Sequence, residues 1–291
     1  MMGRMDGTDR MARANGDGVD VVACDLDRTL IYSPAALGLA GTTNDGTGPP
    51  PPRLVVAEMD GGYPRTYLTR GAEDALRAIA AAAVLVPTTT RTLAQYRRVR
   101  VTESPPAYAV VLNGGQIVVD GRVDEDWTRH VTAGLAAVCA PTDEVAEHVW
   151  KVFEPRWTTW LRVADDLFCY AVVDREEMPA GFVAELAGWC DERGWTVSLQ
   201  GRKVYAVPRP LTKSAALAEI RRRVGGTRLL AAGDSLLDAD MLEAADLGVR
   251  PGHGELHDLG WTRPHVAVTE AAGVLAGEQV AAHLLAAVLA R

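Results

Sequence analysis

The sequence predicts an α/β fold: a doubly wound parallel sheet with an inserted α+β module. Three observations carry this. Short apolar runs alternate with helical patterns over residues 19–120 and again from Leu211, and such alternation implies a parallel sheet with helices on its faces. Between these stretches, at about 128–206, the rhythm becomes helix, two strands, helix, two strands, and five of the seven tryptophans fall there. Acidic and hydroxyl residues follow the predicted strands, at the edge where open α/β sheets bind ligands.

Taken in order, residues 1–17 are rich in Gly, Asp and Arg and predict a disordered tail. Val19–Cys24 is a short apolar run, hence a buried strand. A Gly/Thr/Pro segment, Gly38 to Pro52, excludes regular structure. The runs on either side of Asp60-Gly61-Gly62 predict a hairpin over 53–69. This flap is either a cover over a nearby site or an edge hairpin with no role. Ala72, Leu76, Ile79 and Ala83 recur at helical spacing, and Val84–Val86 is a second strand. A helix is expected around Leu93–Val101, then a third strand, Tyr108–Leu112, and a second hairpin after Asn113-Gly114-Gly115. The inserted module contributes strands at Trp160–Val163, Leu167–Val173, Trp195–Leu199 and Lys203–Val207, with a helix at Pro179–Arg193. A helix at Thr212–Val224 and a strand at Arg228–Ala232 restore the α/β rhythm. Val280, Leu284 and Val288 mark a docked amphipathic helix near the C-terminus. The expected division is 18–127 and 207–291 for the sheet domain and 128–206 for the insertion.

The 291-residue chain is 48% hydrophobic and 23% charged, an ordinary globular composition, and its formal net charge is −8. An acidic balance argues against nucleic acid as partner. No apolar run reaches the roughly 18 residues of a membrane span, and the N-terminus lacks the apolar centre of a signal peptide. Four cysteines without C-x-x-C spacing suggest free thiols in a reducing cytoplasm. Nothing in the residues sets the oligomeric state.

Asp25-Leu-Asp27 directly follows the first strand. Alternate residues of an extended segment point the same way, so both carboxylates are expected at one site. An isolated D-x-D is more often a solvated turn, but three further segments accompany it. These are Thr89, Lys213 and Asp234/Asp238, each after a strand or opening a helix. Carboxylates with no His or Cys partner suit Mg²⁺, a hard cation, and a hydroxyl with an ammonium suits phosphoryl oxygens. Each residue also has a plainer reading. Thr88 or Thr90 could replace Thr89; Lys213 could be an ordinary first-turn lysine, although a cation there opposes the helix dipole. Asp238 could serve the dipole, Asn113 only a turn, and Arg91 a helix cap. Arg202, beside Lys203 in the last hairpin of the insertion, could meet a substrate or only solvent. Trp150, Trp157, Trp160, Trp189 and Trp195 build the module's core or stack on a ligand.

Asp25-Leu-Asp27-Arg-Thr29, Pro87-Thr-Thr89-Thr-Arg91-Thr92, Lys213 and Gly233-Asp234-x-x-x-Asp238 resemble, in order and spacing, the four motifs of the haloacid dehalogenase-like superfamily. The insertion after the third strand is similar to the cap of its Cof-type and sucrose-phosphatase-like subgroup. The resemblance implies a Rossmann-like core and a Mg²⁺-dependent phosphatase acting on a small phosphorylated metabolite, such as a sugar phosphate. It implies that Asp25 attacks phosphorus, forming an aspartyl-phosphate, and that Asp27 protonates the leaving oxygen and then activates water. Thr89 and Lys213 would hold phosphoryl oxygens. Asp25, the carbonyl of Asp27 and Asp234 would bind the metal, and Asp238 would bind it directly, through water, or act by positioning Lys213. Arg28 stands where glycine is common in the family, and the flap is longer than usual. A phosphotransferase or mutase would use the same nucleophile. A non-enzymatic phosphoacceptor is disfavoured by length and by the D-x-D-x-T pattern, and a silent binding protein by the intact motifs.

Overall fold

The computed structural model describes residues 18–39 and 50–290. The predicted tail, 1–17, and most of the Gly/Pro segment therefore lie outside the described residues. The strands are β1 (Val19–Cys24), β2 (Leu54–Asp60), β3 (Tyr63–Thr69), β4 (Val84–Pro87), β5 (Tyr108–Val111), β6 (Gln116–Val119), β7 (Arg122–Val123), β8 (Thr158–Ala164), β9 (Phe168–Val173), β10 (Trp195–Gln200), β11 (Lys203–Pro208), β12 (Gly226–Ala232), β13 (Leu247–Arg250) and β14 (Val266–Val268). The helices are α1 (Arg70–Ala82), α2 (Leu93–Tyr96), α3 (Glu125–Val138), α4 (Thr142–Val152), α5 (Phe182–Asp191), α6 (Lys213–Val224), α7 (Ala239–Glu243), α8 (Glu255–Asp258) and α9 (Gly273–Leu289).

The main sheet is parallel, in the order β14-β13-β12-β1-β4. β1 lies between β4 and β12, and the chain leaves it toward β4 on one side and β12 on the other. Its carboxyl end is thus the point where strand order reverses, the usual ligand position in such sheets. One face buries Leu76 and Ile79 of α1 with Val280 and Leu284 of α9, and the other buries Leu217 and Ile220 of α6 with Met241 and Leu242 of α7. Each such side chain contributes about 1.5–3 kcal/mol on leaving water. The second sheet is antiparallel, β10-β11-β9-β8, and its core includes Val145 and Val149 of α4, Leu186 and Cys190 of α5, and Phe168.

Several expectations change. The helix around Leu93–Val101 is a single turn. A Thr92/Gln95 capping box opens it, but the following backbone is taken by the flap, with Glu58 bridging to Val99 and Arg100 N–H donating to Ala57 O at 2.7 Å. The helix opening the insertion is two helices, separated at Cys139-Ala140-Pro141, and the first begins at Glu125, inside the expected sheet domain. α5 starts at Phe182 and not at Pro179, because Gly181 has a left-handed φ of 86°. β5 joins a small antiparallel sheet with β6 and β7 and meets the end of β4 through the Thr88–Val110 bridge. β13 and β14 carry no sequence expectation: they are three or four residues long, and Gly248 breaks the apolar run of β13.

Candidate active site

Asp25 leaves β1 with its N–H donating to Ala232 O of the neighbouring strand, so its position is set by the sheet. The next turn is tight: Thr29, Leu30 and Ile31 all donate to Leu26 O, and Arg28 takes a left-handed φ of 64°. A non-glycine residue there costs about 1–2 kcal/mol. The turn separates the two aspartates. Leu26 is buried between them, Asp25 faces Lys213, and Asp27 faces Arg91.

Lys213 is the first residue of α6. Thr212 caps the helix, and the preceding segment is anchored by Asn113 Nδ2 donating to Leu211 O at 2.7 Å. Gly114 makes this approach possible, because its φ is 101° and a Cβ would lie 2.1 Å from Thr212 O. Asn113 therefore serves the turn and the placement of Lys213. From there Lys213 Nζ donates to Asp25 Oδ1 at 2.7 Å and to Asp238 Oδ1 at 2.5 Å, with the lysine side chain 1% exposed. The other oxygen of Asp238 accepts from the N–H groups of Asp234 and Ser235 and from Ser235 Oγ, at 3.1, 2.9 and 2.7 Å. Asp238 thus positions Lys213 and the Asp234 loop. Gly254, at φ 93°, lets the chain pass Asp234; a Cβ would lie 2.5 Å from Asp234 Oδ2.

Carboxylate oxygens of Asp25, Asp234 and Asp238 all lie within 4.8 Å of one another, and all three residues are buried. Burial pushes the Asp25 carboxyl up to about 7, Asp238 adding to this while Lys213 opposes it. Asp234 is raised well above its ordinary value by burial and by the charges of Asp25 and Asp238. Three carboxylates meet Lys213 here, with Arg28 3.5 Å from Asp234, and this all-oxygen donor set fits a hard divalent cation held by Asp25 and Asp234.

The three threonines separate by partner. Thr88 Oγ1 donates to Val86 O at 3.0 Å and Thr90 Oγ1 to the Tyr205 hydroxyl at 3.4 Å. Thr89 Oγ1 instead accepts from Arg91 N–H at 3.2 Å.

No protein-family model matches the sequence, and no curated protein matches it. Solved structures do match in shape. Sucrose-phosphatase from Synechocystis, determined with sucrose and phosphate, superposes with a TM-score of 0.63 over 92% of this chain and 98% of its own, at 15% identity. A phosphatase of the haloalkanoate superfamily from Bacteroides thetaiotaomicron gives 0.52 over 95% and 97%, also at 15% identity. A trehalose-6-phosphate phosphatase related protein gives 0.52 over 93% and 99%, at 13%. The chain has the haloacid dehalogenase-like fold.

In this fold the antiparallel sheet is the cap, and it faces the carboxyl ends of β1 and β4. Tyr170 on β9 and Tyr205 on β11 stack at 5.4 Å, and their hydroxyls meet Gln95 and Thr90 of the core. Glu255 of α8 accepts from Ser198 Oγ and Leu199 N–H of the cap and from Leu236 N–H of the core, all at 2.6–2.8 Å. A cavity of about 430 Å³ lies between the layers.

Arg91 sits on its wall. It forms a two-pronged pair with Asp27, Nε to Oδ2 at 2.7 Å and Nη2 to Oδ1 at 2.8 Å, and its Nη1 reaches Glu58 at 2.9 Å. Burial alone would raise the Asp27 pKa; the charge and hydrogen bonds of Arg91, with Lys203 and Lys213, hold it well below the usual carboxylate range. Glu58 belongs to the flap, and Thr66 of the flap lines the cavity. The flap is therefore part of the site wall. Glu58 gave no sequence signal beyond a charge on an alternating strand. Arg202 is exposed at the cavity rim, while Lys203 beside it is half-buried. Trp157 and Trp195 are core residues of the cap, Trp189 stacks between His148 and Arg193, and Trp150 is 56% exposed. None of the five tryptophans lines the cavity.

Proposed function

We propose that the protein is a Mg²⁺-dependent phosphomonoesterase acting on a small phosphorylated metabolite. The observation that carries this is the shared ammonium of Lys213 between Asp25 and Asp238, with Asp234 alongside, at the carboxyl end of β1. A metal held by Asp25 and Asp234 supplies charge stabilisation to the phosphoryl group, which is most of what phosphoryl transfer needs. Asp25 is the nucleophile in this reading and forms an aspartyl-phosphate. Lys213 orients the attacking oxygen and offsets the charge of the phosphoryl oxygens, and Thr89 offers a hydroxyl proton to one of them.

Asp27 handles the proton. Paired to Arg91 it is ionised and suited to take a proton from water in the second step. Donating one to the leaving oxygen in the first step requires Arg91 to be drawn away, and Glu58 is the carboxylate placed to do so. A cavity of about 430 Å³ agrees with the subgroup's small soluble substrates.

Purified protein is expected to hydrolyse 4-nitrophenyl phosphate with Mg²⁺. EDTA should abolish the activity, and Asp25→Asn should lower it by on the order of 10⁴-fold. Activity retained by Asp25→Asn would remove the nucleophile from the scheme. Phosphate appearing on an added acceptor, and not free in solution, would replace hydrolase by phosphotransferase.

A further inference from the structure

We propose that the natural substrate carries a second anionic group besides the transferred phosphate, and that Lys203 of the cap recognises it. This rests on the phosphomonoester reading above. The charge on the cavity wall is one-sided. Arg28, Arg91, Arg202 and Lys203 line it, and Asp27 is the carboxylate among the lining residues. Most of these cations have a partner: Arg91 has Asp27 and Glu58, and Arg28 lies 3.5 Å from Asp234. Lys203 and Arg202 form no ion pair among the described residues. Arg202 is exposed and its charge is hydrated at little cost. Lys203 is half-buried, and Asp27, the carboxylate whose charge it feels, is already bonded twice to Arg91, so the ammonium is drawn partly out of water without a carboxylate in direct contact.

The register says where that ammonium is kept. Lys203 pairs with Val172 of β9 and Gln200 of β10, and Tyr205, two residues on along β11, pairs with Tyr170. Residues two apart share a face. The bonds that the Tyr205 and Tyr170 hydroxyls accept from Thr90 and Gln95 put that face against the core, so Lys203 is held toward the cavity. The transferred phosphoryl group has its own cation, Lys213, between Asp25 and Asp238. Lys203 lines the cavity from the cap, on the side of Asp27, whereas Lys213 is buried beneath it and does not line it. Neutral groups such as Ser33 and Gln200 on that wall can serve hydroxyls, but they leave the charge of Lys203 unmatched. A carboxylate or a second phosphate answers the charge that is present.

The test is a series of phosphomonoesters with a carboxylate two to five carbons from the ester oxygen, each assayed beside its hydroxymethyl analogue. At the best spacing, kcat/KM should favour the carboxylate by at least about tenfold, the scale of one charge-assisted hydrogen bond. Lys203→Met should bring that ratio close to one, and Lys203→Arg should restore most of it. A ratio near one across the wild-type series, or one unmoved by Lys203→Met, overturns the inference; a merely structural lysine would lower both rates together and leave the ratio intact. If 4-nitrophenyl phosphate is not hydrolysed at all, the phosphatase reading falls separately. The same pairs are then compared by calorimetric binding. A Kd ratio favouring the carboxylate and lost in Lys203→Met supports the second-anion site, and equal Kd values overturn it.

Discussion

Two ion networks meet at the loop after β1, and they are built in contrasting ways. In one, Lys213 sits between Asp25 and Asp238 with all three side chains almost fully buried. In the other, Arg91 sits between Asp27 and Glu58 on the wall of an open cavity, with Asp27 about a third exposed. The first joins β1, α6 and the loop after β12, all elements of the main sheet. The second joins the same loop to the segment after β4 and to the flap. The difference separates fixed from movable parts. A network sealed in the interior keeps one geometry because breaking it strands charge away from water. A network at the wall can exchange partners with a ligand or solvent at much lower cost.

The largest effect that could break this contrast is at Lys213. Lys213→Met leaves two carboxylates buried without their cation, and stability measured by urea denaturation should fall by about 3–5 kcal/mol. A loss below about 1 kcal/mol would place the Lys213 network with the weak, solvent-screened pairs. Adding Mg²⁺ to the variant should recover part of the loss, since a ligand that binds only the folded state stabilises it.

Glu58→Gln should cost less, about 1–2 kcal/mol by the same measurement, because the amide keeps one hydrogen bond to Arg91 and Arg98 nearby is partly hydrated. Its sharper signature is catalytic. With Glu58 neutral, Arg91 stays with Asp27, so kcat should fall more than KM changes. Equal activity would leave the flap as wall only.

The smallest effect concerns the loop between the networks. His253 Nδ1 accepts from Gly273 N–H at 3.3 Å, and its Nε2 lies 2.9 Å from Arg28 O, which makes it a neutral ring donating through Nε2. Burial holds its pKa below the ordinary 6.5. The unfolded chain therefore binds this proton more readily, and the stability from the neutral ring, present above 6.5, is lost as pH falls through the lower folded value. Thermal melts from pH 7 to pH 5 should show a larger decrease for wild type than for His253→Gln. Parallel curves would detach this ring from the loop.

Much of the site was legible along the chain because its signals are local. Asp25, Thr89, Lys213, Asp234 and Asp238 each sit one to four residues beyond a strand or at a helix start, and such positions are readable from apolar runs and turn residues. Strand β1, helix α6 with its Thr212 cap and the flap hairpin follow the same logic. The remainder was not legible because it depends on contacts between distant residues. Nothing near Arg91 announces a pair with Asp27, 64 residues away, nor does an alternating flap strand announce Glu58 as its third member. β13 and β14 are too short to show a period, and α2 lost its second turn to backbone bonds from the flap.

The sequence by itself determined the order of the elements, the carboxylates at the strand ends and the place of the insertion, because propensity, periodicity and spacing act over a few residues. Only the tertiary structure decided how Asp25 and Asp27 differ. One turn with Arg28 at positive φ sends the first carboxylate into a sealed, cation-shared interior and the second to a cavity wall beside Arg91. That division is made by burial and by partners up to 188 residues apart, and electrostatic energy depends on where charges finally sit in low dielectric, not on their order in the chain.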